Sequence, residues 1–127
     1  MNETEKKKIL IIEDQAGFRL IYRGVLESDG YEVLEAANGQ RGWELAKTEI
    51  PDMILLDLIL PDLSGYEVLT KIRDTEWTKN IPVIIFSVLG SGKDIRKGLE
   101  LGANDYRIKG DSSPTVILDK IRSLLSK

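Results

Sequence analysis

The chain has 127 residues, 42% hydrophobic and 31% charged, with 18 basic against 21 acidic residues and a net charge of −3. That is room for one domain, residues 1–127, without the basic excess of a nucleic-acid footprint. Cysteine and histidine are absent, which excludes disulfides, thiolate metal sites and thiol nucleophiles and removes the usual general base and zinc ligand. No apolar run approaches the roughly 18 residues that a bilayer span needs. The opening "MNETEKKKILII" has too short an apolar stretch for a signal-peptide core, so a cytoplasmic protein without membrane contact is expected. Its Asn2-Glu3-Thr4 pattern matches a glycosylation acceptor, which means little without secretion.

In chain order, short apolar runs alternate with helical patterns. "ILII" (Ile9–Ile12) is the first predicted strand, followed by Glu13-Asp14, where Asp14 is placed to cap a helix. That helix aligns Phe18, Ile21, Val25 and Leu26 on one face and stops at Gly30. "YEVLEA" (Tyr31–Ala36) is the second strand; after Asn38-Gly39, a helix turns Trp43, Ala46 and Ile50 inward. "MILL" (Met53–Leu56) is the third strand, and the run stays apolar to Leu60 except at Asp57. Pro61 and Gly65 punctuate the loop, and Ser64 caps a helix whose inner face is Val68, Leu69 and Ile72.

"PVIIF" (Pro82–Phe86) is the fourth strand. Ser91 or Gly92 opens a fourth helix with Ile95 and Leu99 inward, weakened by Gly98. "DYRIK" (Asp105–Lys109) is the weakest strand. A clear last helix follows, with Ser113 as cap, Pro114 at the first helical position, and Ile117, Ile121, Leu124 and Leu125 as its stripe. Strands alternating with helices predict an α/β fold of right-handed βαβ units, with a parallel sheet covered on both faces. Near-continuous apolar strands suit such a sheet.

Ligands of open α/β sheets bind beyond the carboxyl ends of the strands. At those ends stand Glu13-Asp14, Asp57, Ser87 and Lys109. Three carboxylates brought together repel, and a bound cation or a raised pKa relieves them. An all-oxygen set favours a hard divalent ion such as Mg2+ or Mn2+. The lysine and the hydroxyl add donors for an anion beside it, a set suited to phosphoryl transfer onto a carboxylate.

The stretches "ILIIEDQ", "DMILLDLILPDLSGYEVL", "IPVIIFS" and "LGANDYRIKG" resemble the receiver domain of two-component response regulators, from about Lys8 to the last helix. The resemblance implies a doubly wound (βα)5 flavodoxin-like fold with strand order 2-1-3-4-5. It makes Asp57 the phosphoacceptor; Asp14, Asp57 and the backbone carbonyl of Ile59 ligands of Mg2+ or Mn2+; and Glu13 a ligand through water. Ser87 and Lys109 would hold phosphoryl oxygens. Tyr106 matches the aromatic that turns inward when the hydroxyl residue moves. It further implies a sensor histidine kinase or phosphotransfer protein as donor and a downstream effector domain or protein as target. The surface of the fourth helix, fifth strand and fifth helix would report the state, with room there for a homodimer. Such a domain is a phosphoacceptor rather than an enzyme.

Three features depart from that family's pattern. Glu13 stands for the commoner aspartate, one methylene longer. Gly110 follows Lys109 where proline after a cis bond is usual; cis before a non-proline residue costs about 3 kcal/mol, so a trans or mobile loop is expected. Ile59, Val88 and Leu89 give the site an apolar rim that positions no water, which predicts slow self-dephosphorylation. Other readings compete less well. A receiver-like module that binds a partner without phosphorylation keeps the fold but leaves the acid, Ser and Lys set idle. A flavin carrier needs a phosphate-cradling loop where "EDQAG" offers acids. "GSGK" (Gly90–Lys93) lacks the residues of a phosphate loop, and Trp43 and Trp77 read as packing or surface residues.

Overall fold

The five apolar runs are all strands in the computed structural model, which describes residues 5–126; the Asn2-Glu3-Thr4 pattern lies outside them. In chain order the elements are β1 (Lys8–Ile12), α1 (Ala16–Ser28), β2 (Glu32–Ala36), α2 (Gly39–Glu49) and β3 (Met53–Leu56), then α3 (Gly65–Asp74), β4 (Val83–Ser87), α4 (Gly92–Glu100), β5 (Asp105–Ile108) and α5 (Pro114–Leu125). The strands form one sheet in the order β2-β1-β3-β4-β5, every pair parallel. This is the doubly wound (βα)5 sandwich expected from the sequence.

Alternate strand residues feed two apolar layers. Leu10, Ile12, Ile54, Leu56, Val83 and Ile85 pack toward α3 with Val68, Leu69 and Ile72. Ile9, Ile11, Met53, Leu55, Ile84 and Phe86 pack toward α1 and α5 with Tyr22, Leu26, Ile117 and Ile121. Each such side chain stabilises the fold by about 1.5–3 kcal/mol relative to exposure.

Capping sets where the helices begin. Ser64 Oγ accepts from the Tyr66 and Glu67 amides at 3.0 and 3.4 Å. Ser91 Oγ accepts from the Asp94 amide at 3.1 Å while its hydroxyl donates to Asp94 Oδ2 at 2.7 Å. Ser113 and Asn38 cap α5 and α2 in the same way. Asp14 does not cap α1: Gln15 holds that position without a side-chain hydrogen bond.

Three apolar residues expected inward face solvent instead. Ile21 is displaced by Tyr22, which stacks on Phe18 and meets Phe86 edge-on, so the inner stripe runs Phe18, Tyr22, Leu26. Ile50 ends α2 as its C-cap at φ 42°, off the helical face. Leu99 is exposed because the buried Gly98 occupies the inward position. A Cβ on Gly98 would lie 2.6 Å from Ile85 Cδ1 and 3.1 Å from the Tyr106 ring. The glycine that weakens α4 is the one that lets it seat against β4 and β5.

Candidate functional site

Register brings the strand ends together. Ile12 pairs with Leu56, and Ser87 pairs with Ile108. The Asp57 amide donates to the Ile12 carbonyl at 3.0 Å, and the Lys109 amide donates to the Ser87 carbonyl at 2.8 Å. Glu13, Asp57, Ser87 and Lys109 therefore leave the sheet from neighbouring strands along one edge. Strand β2 lies outside β1 and contributes none of them.

Glu13 and Asp57 are 1% and 6% exposed, a degree of burial that carboxylates adopt only with compensation. Lys109 supplies part of it: its ammonium donates to Glu13 Oε1 and, at 3.2 Å, to Asp57 Oδ2. The same ammonium lies 4.3 Å from the centre of the Phe18 ring, a cation–π contact on its apolar side. Backbone amides of Leu58 and Ile59 donate to Asp57 Oδ1 at 2.7 and 3.4 Å. One Asp57 oxygen is thus pinned by the main chain, and the other faces the lysine.

Asp14 is exposed, and among the described residues its carboxylate has no hydrogen-bond or ion-pair partner. Oxygens of Glu13, Asp14 and Asp57 all lie within 4.8 Å of one another. With all three ionised, three carboxylates against one ammonium leave an excess of two negative charges. Burial, the largest influence, pushes the Glu13 carboxyl up to about 7; the Lys109 hydrogen bond opposes this and the Asp57 charge adds to it. An all-oxygen set with this charge fits a hard divalent cation that keeps several waters.

Ser87 is fully buried, its Oγ accepting from the Leu89 amide at 3.3 Å. Tyr106 is turned inward, its hydroxyl donating to the Leu89 carbonyl at 2.5 Å, and burial pushes its phenol up to about 12. Ile59, 49% exposed, Val88 and Leu89 line the rim, as the sequence suggests. The Lys109–Gly110 bond is trans, and Gly110 at φ 93° takes a left-handed conformation open to glycine.

The sequence reading did not identify two neighbours of this cleft. Phe18 reads as core from its helical spacing, yet it also floors the Lys109 ammonium. Arg19, which the sequence does not single out, donates from its Nη1 to the Glu13 carbonyl at 2.6 Å. Neither carries a sequence signal for this, because the contacts join an aromatic or a guanidinium to groups fixed by other strands.

A doubly wound sheet with an acidic cluster at its carboxyl edge, one lysine reaching into it and a buried hydroxyl beside it, defines an α/β domain of the flavodoxin-like type. The chain belongs to the response regulator receiver domain family, whose model matches residues 9–122. It is 39% identical over 125 residues to the probable transcriptional regulator ycf27 of Cyanophora paradoxa, covering 98% of this chain and 51% of that protein. It is 37% identical over 121 residues to the phosphate regulon transcriptional regulatory protein PhoB of Pseudomonas aeruginosa, covering 95% of this chain and 52% of that protein. The CheY-like response regulator receiver domain protein of Methanospirillum hungatei superposes with a TM-score of 0.90 at 30% identity, covering 96% of this chain and 95% of that one. The chain spans about half the length of the curated relatives it matches. No described helix is long and apolar enough to cross a membrane.

Proposed function

We propose that the chain is a phosphorylation-controlled switch that accepts a phosphoryl group on Asp57 from the phosphohistidine of a sensor histidine kinase or phosphotransfer protein. The observation that carries this reading is the Asp57 carboxylate itself: buried, with Oδ1 held by two amides and Oδ2 facing Lys109. Oδ2 attacks phosphorus; an O–P bond forms, the donor's P–N bond breaks, and its electron pair returns to the imidazole nitrogen. Such transfers depend on in-line positioning and charge neutralisation more than on covalent work by the protein.

Asp14, Asp57 and the Ile59 carbonyl would hold Mg2+ or Mn2+, with Glu13 acting through a water. When bound, the ion offsets charge on the transferring oxygens. Lys109 exchanges its carboxylate partners for a phosphoryl oxygen, and the Ser87 hydroxyl donates to another. Ser87 and Leu89 lie on one short segment, and Tyr106 grips Leu89. A shift of Ser87 toward the phosphoryl group therefore pulls on β5 and the start of α4. The α4-β5-α5 face would present the change to an effector domain or protein, or to a second copy.

Incubation with Mg2+ and acetyl phosphate, followed by intact-mass measurement, tests this reading. One phosphoryl adduct that disappears in Asp57→Asn is expected. No adduct in the unmutated chain rejects phosphorylation control in favour of a partner-binding module, and an adduct that survives the substitution rejects Asp57.

A further inference from the structure

The side chain of Asp14 has no partner among the described residues, so its direction depends on the backbone that carries it. That backbone is held from an unexpected quarter. The Glu13 amide donates to the Ala36 carbonyl at 3.0 Å, completing the β1–β2 ladder. The Glu13 carbonyl belongs to the Glu13–Asp14 peptide and accepts from Arg19 Nη1 at 2.6 Å. Arg19 is itself steered by β2, its Nε donating to Glu35 Oε1 at 3.1 Å, and Glu35 also pairs with Arg23. The N-cap residue Gln15 makes no side-chain hydrogen bond, but its amide donates to Glu13 Oε2 at 3.3 Å, so the peptide after Asp14 is held by the Glu13 side chain and the peptide before it by Arg19.

We propose that Arg19, oriented by Glu35, is a positioning residue for cation binding: it fixes the Glu13–Asp14 peptide and so aims the Asp14 carboxylate. This inference rests on the reading of Glu13, Asp14 and Asp57 as the cation site. The side-chain hydrogen bonds of Arg19 among the described residues go to the Glu13 carbonyl and the Glu35 carboxylate, not to the carboxylates of that set. Groups that orient metal ligands from behind typically change metal affinity by about 10–100-fold when removed.

The sign of the effect separates positioning from simple charge. A guanidinium close to the cleft repels a cation, so by Coulomb's law alone its removal tightens binding. Positioning predicts the reverse. Mg2+ affinity measured by calorimetry and Mn2+ affinity measured by solvent-proton relaxation should both weaken about 10-fold in Arg19→Ala. Arg23→Ala, which breaks an ion pair to the same Glu35 without touching the Glu13 carbonyl, should leave them unchanged. Circular dichroism and thermal unfolding in chelator verify that each variant is folded. If Arg19→Ala does not fold, Arg19→Lys decides the question: it keeps the positive charge but lacks the planar fork that reaches both the Glu13 carbonyl and Glu35, so charge alone leaves affinity unchanged and positioning weakens it. Unchanged or tighter binding in the folded variant overturns the inference. Absence of Mg2+ binding by the unmutated chain overturns the cation reading itself, and with it this inference.

Discussion

Gly65 is the residue through which the helix after β3 is pressed against the proposed phosphoacceptor, and Gly65→Ala is a sharp test of that packing. Its amide donates to the Leu58 carbonyl at 2.9 Å, which draws the first residue of α3 under the Asp57–Leu58 peptide. A Cβ built on Gly65 would strike the Asp57 carbonyl oxygen inside any van der Waals contact, with Leu58 Cα at 2.6 Å and the Asp57 carbonyl carbon at 3.0 Å. All three are main-chain atoms, so no rotamer change relieves the clash; the backbone around Asp57 must move. Overpacking of this kind costs about 1–3 kcal/mol, and here the upper end applies because the obstacle is rigid. Alanine gains at most about 1 kcal/mol over glycine in helix propensity. The net loss is about 2 kcal/mol. For a domain of this size that lowers Tm by roughly 8 °C. Urea and thermal unfolding followed by circular dichroism measure the loss, and Mg2+ titration of the same variant should show weakened binding because the Asp57 carboxylate is displaced. A variant as stable as the unmutated protein, with unchanged Mg2+ affinity, would refute the packing argument.

Other expectations follow from the same geometry. The raised Glu13 pKa means that the folded chain keeps a proton between pH 4.5 and about 7 that the unfolded chain has lost. Stability from this group is therefore full below pH 4.5 and is lost as pH rises through about 7. In chelator, the fall in urea midpoint between pH 5 and 7.5 should be shallower in Glu13→Gln; parallel curves for the two proteins would contradict it. Gly98→Ala should destabilise the fold by about 1 kcal/mol despite better helix propensity, because its Cβ meets Ile85 and Tyr106; a gain in stability in urea unfolding would show that those side chains yield. Leu89→Glu or Ile59→Asn should shorten the lifetime of the phosphorylated form, read by intact mass over time, since each places a water-binding group on an apolar rim. An unchanged lifetime would remove the rim as its cause.

Much of the site was legible before the fold was known. Asp57 stands out because a charge in the run Met53–Leu60 has to be at a strand end to reach solvent or a partner. Glu13-Asp14, Ser87 and Lys109 are legible for the same reason: each follows an apolar run, and runs of that kind make buried parallel strands. Helix interiors were harder. The periodicity of α1 admits either Ile21 or Tyr22 on the inner face, and the choice falls to Tyr22 through its contacts with Phe18 and Phe86. Gly98 reads as a helix defect in one dimension, yet it fills a tight gap between α4 and two strands. Gln15, rather than the better capping residue Asp14, begins α1, which leaves the Asp14 carboxylate free of the helix end.

By itself the sequence determined the alternation of strands and helices, because burial on both faces demands continuous apolar runs and capping residues mark helix starts. It also determined which side chains stand at the strand ends. Tertiary structure alone decided how they meet. The β1–β3 and β4–β5 registers, set by backbone hydrogen bonds between segments far apart in the chain, place Lys109 against Glu13 and Asp57. The hold of Arg19 on the Glu13 carbonyl likewise depends on Glu35 reaching it from the neighbouring strand. Sequence pattern reports the environment of one segment at a time; the charge balance of this cleft is a property of four strands packed side by side.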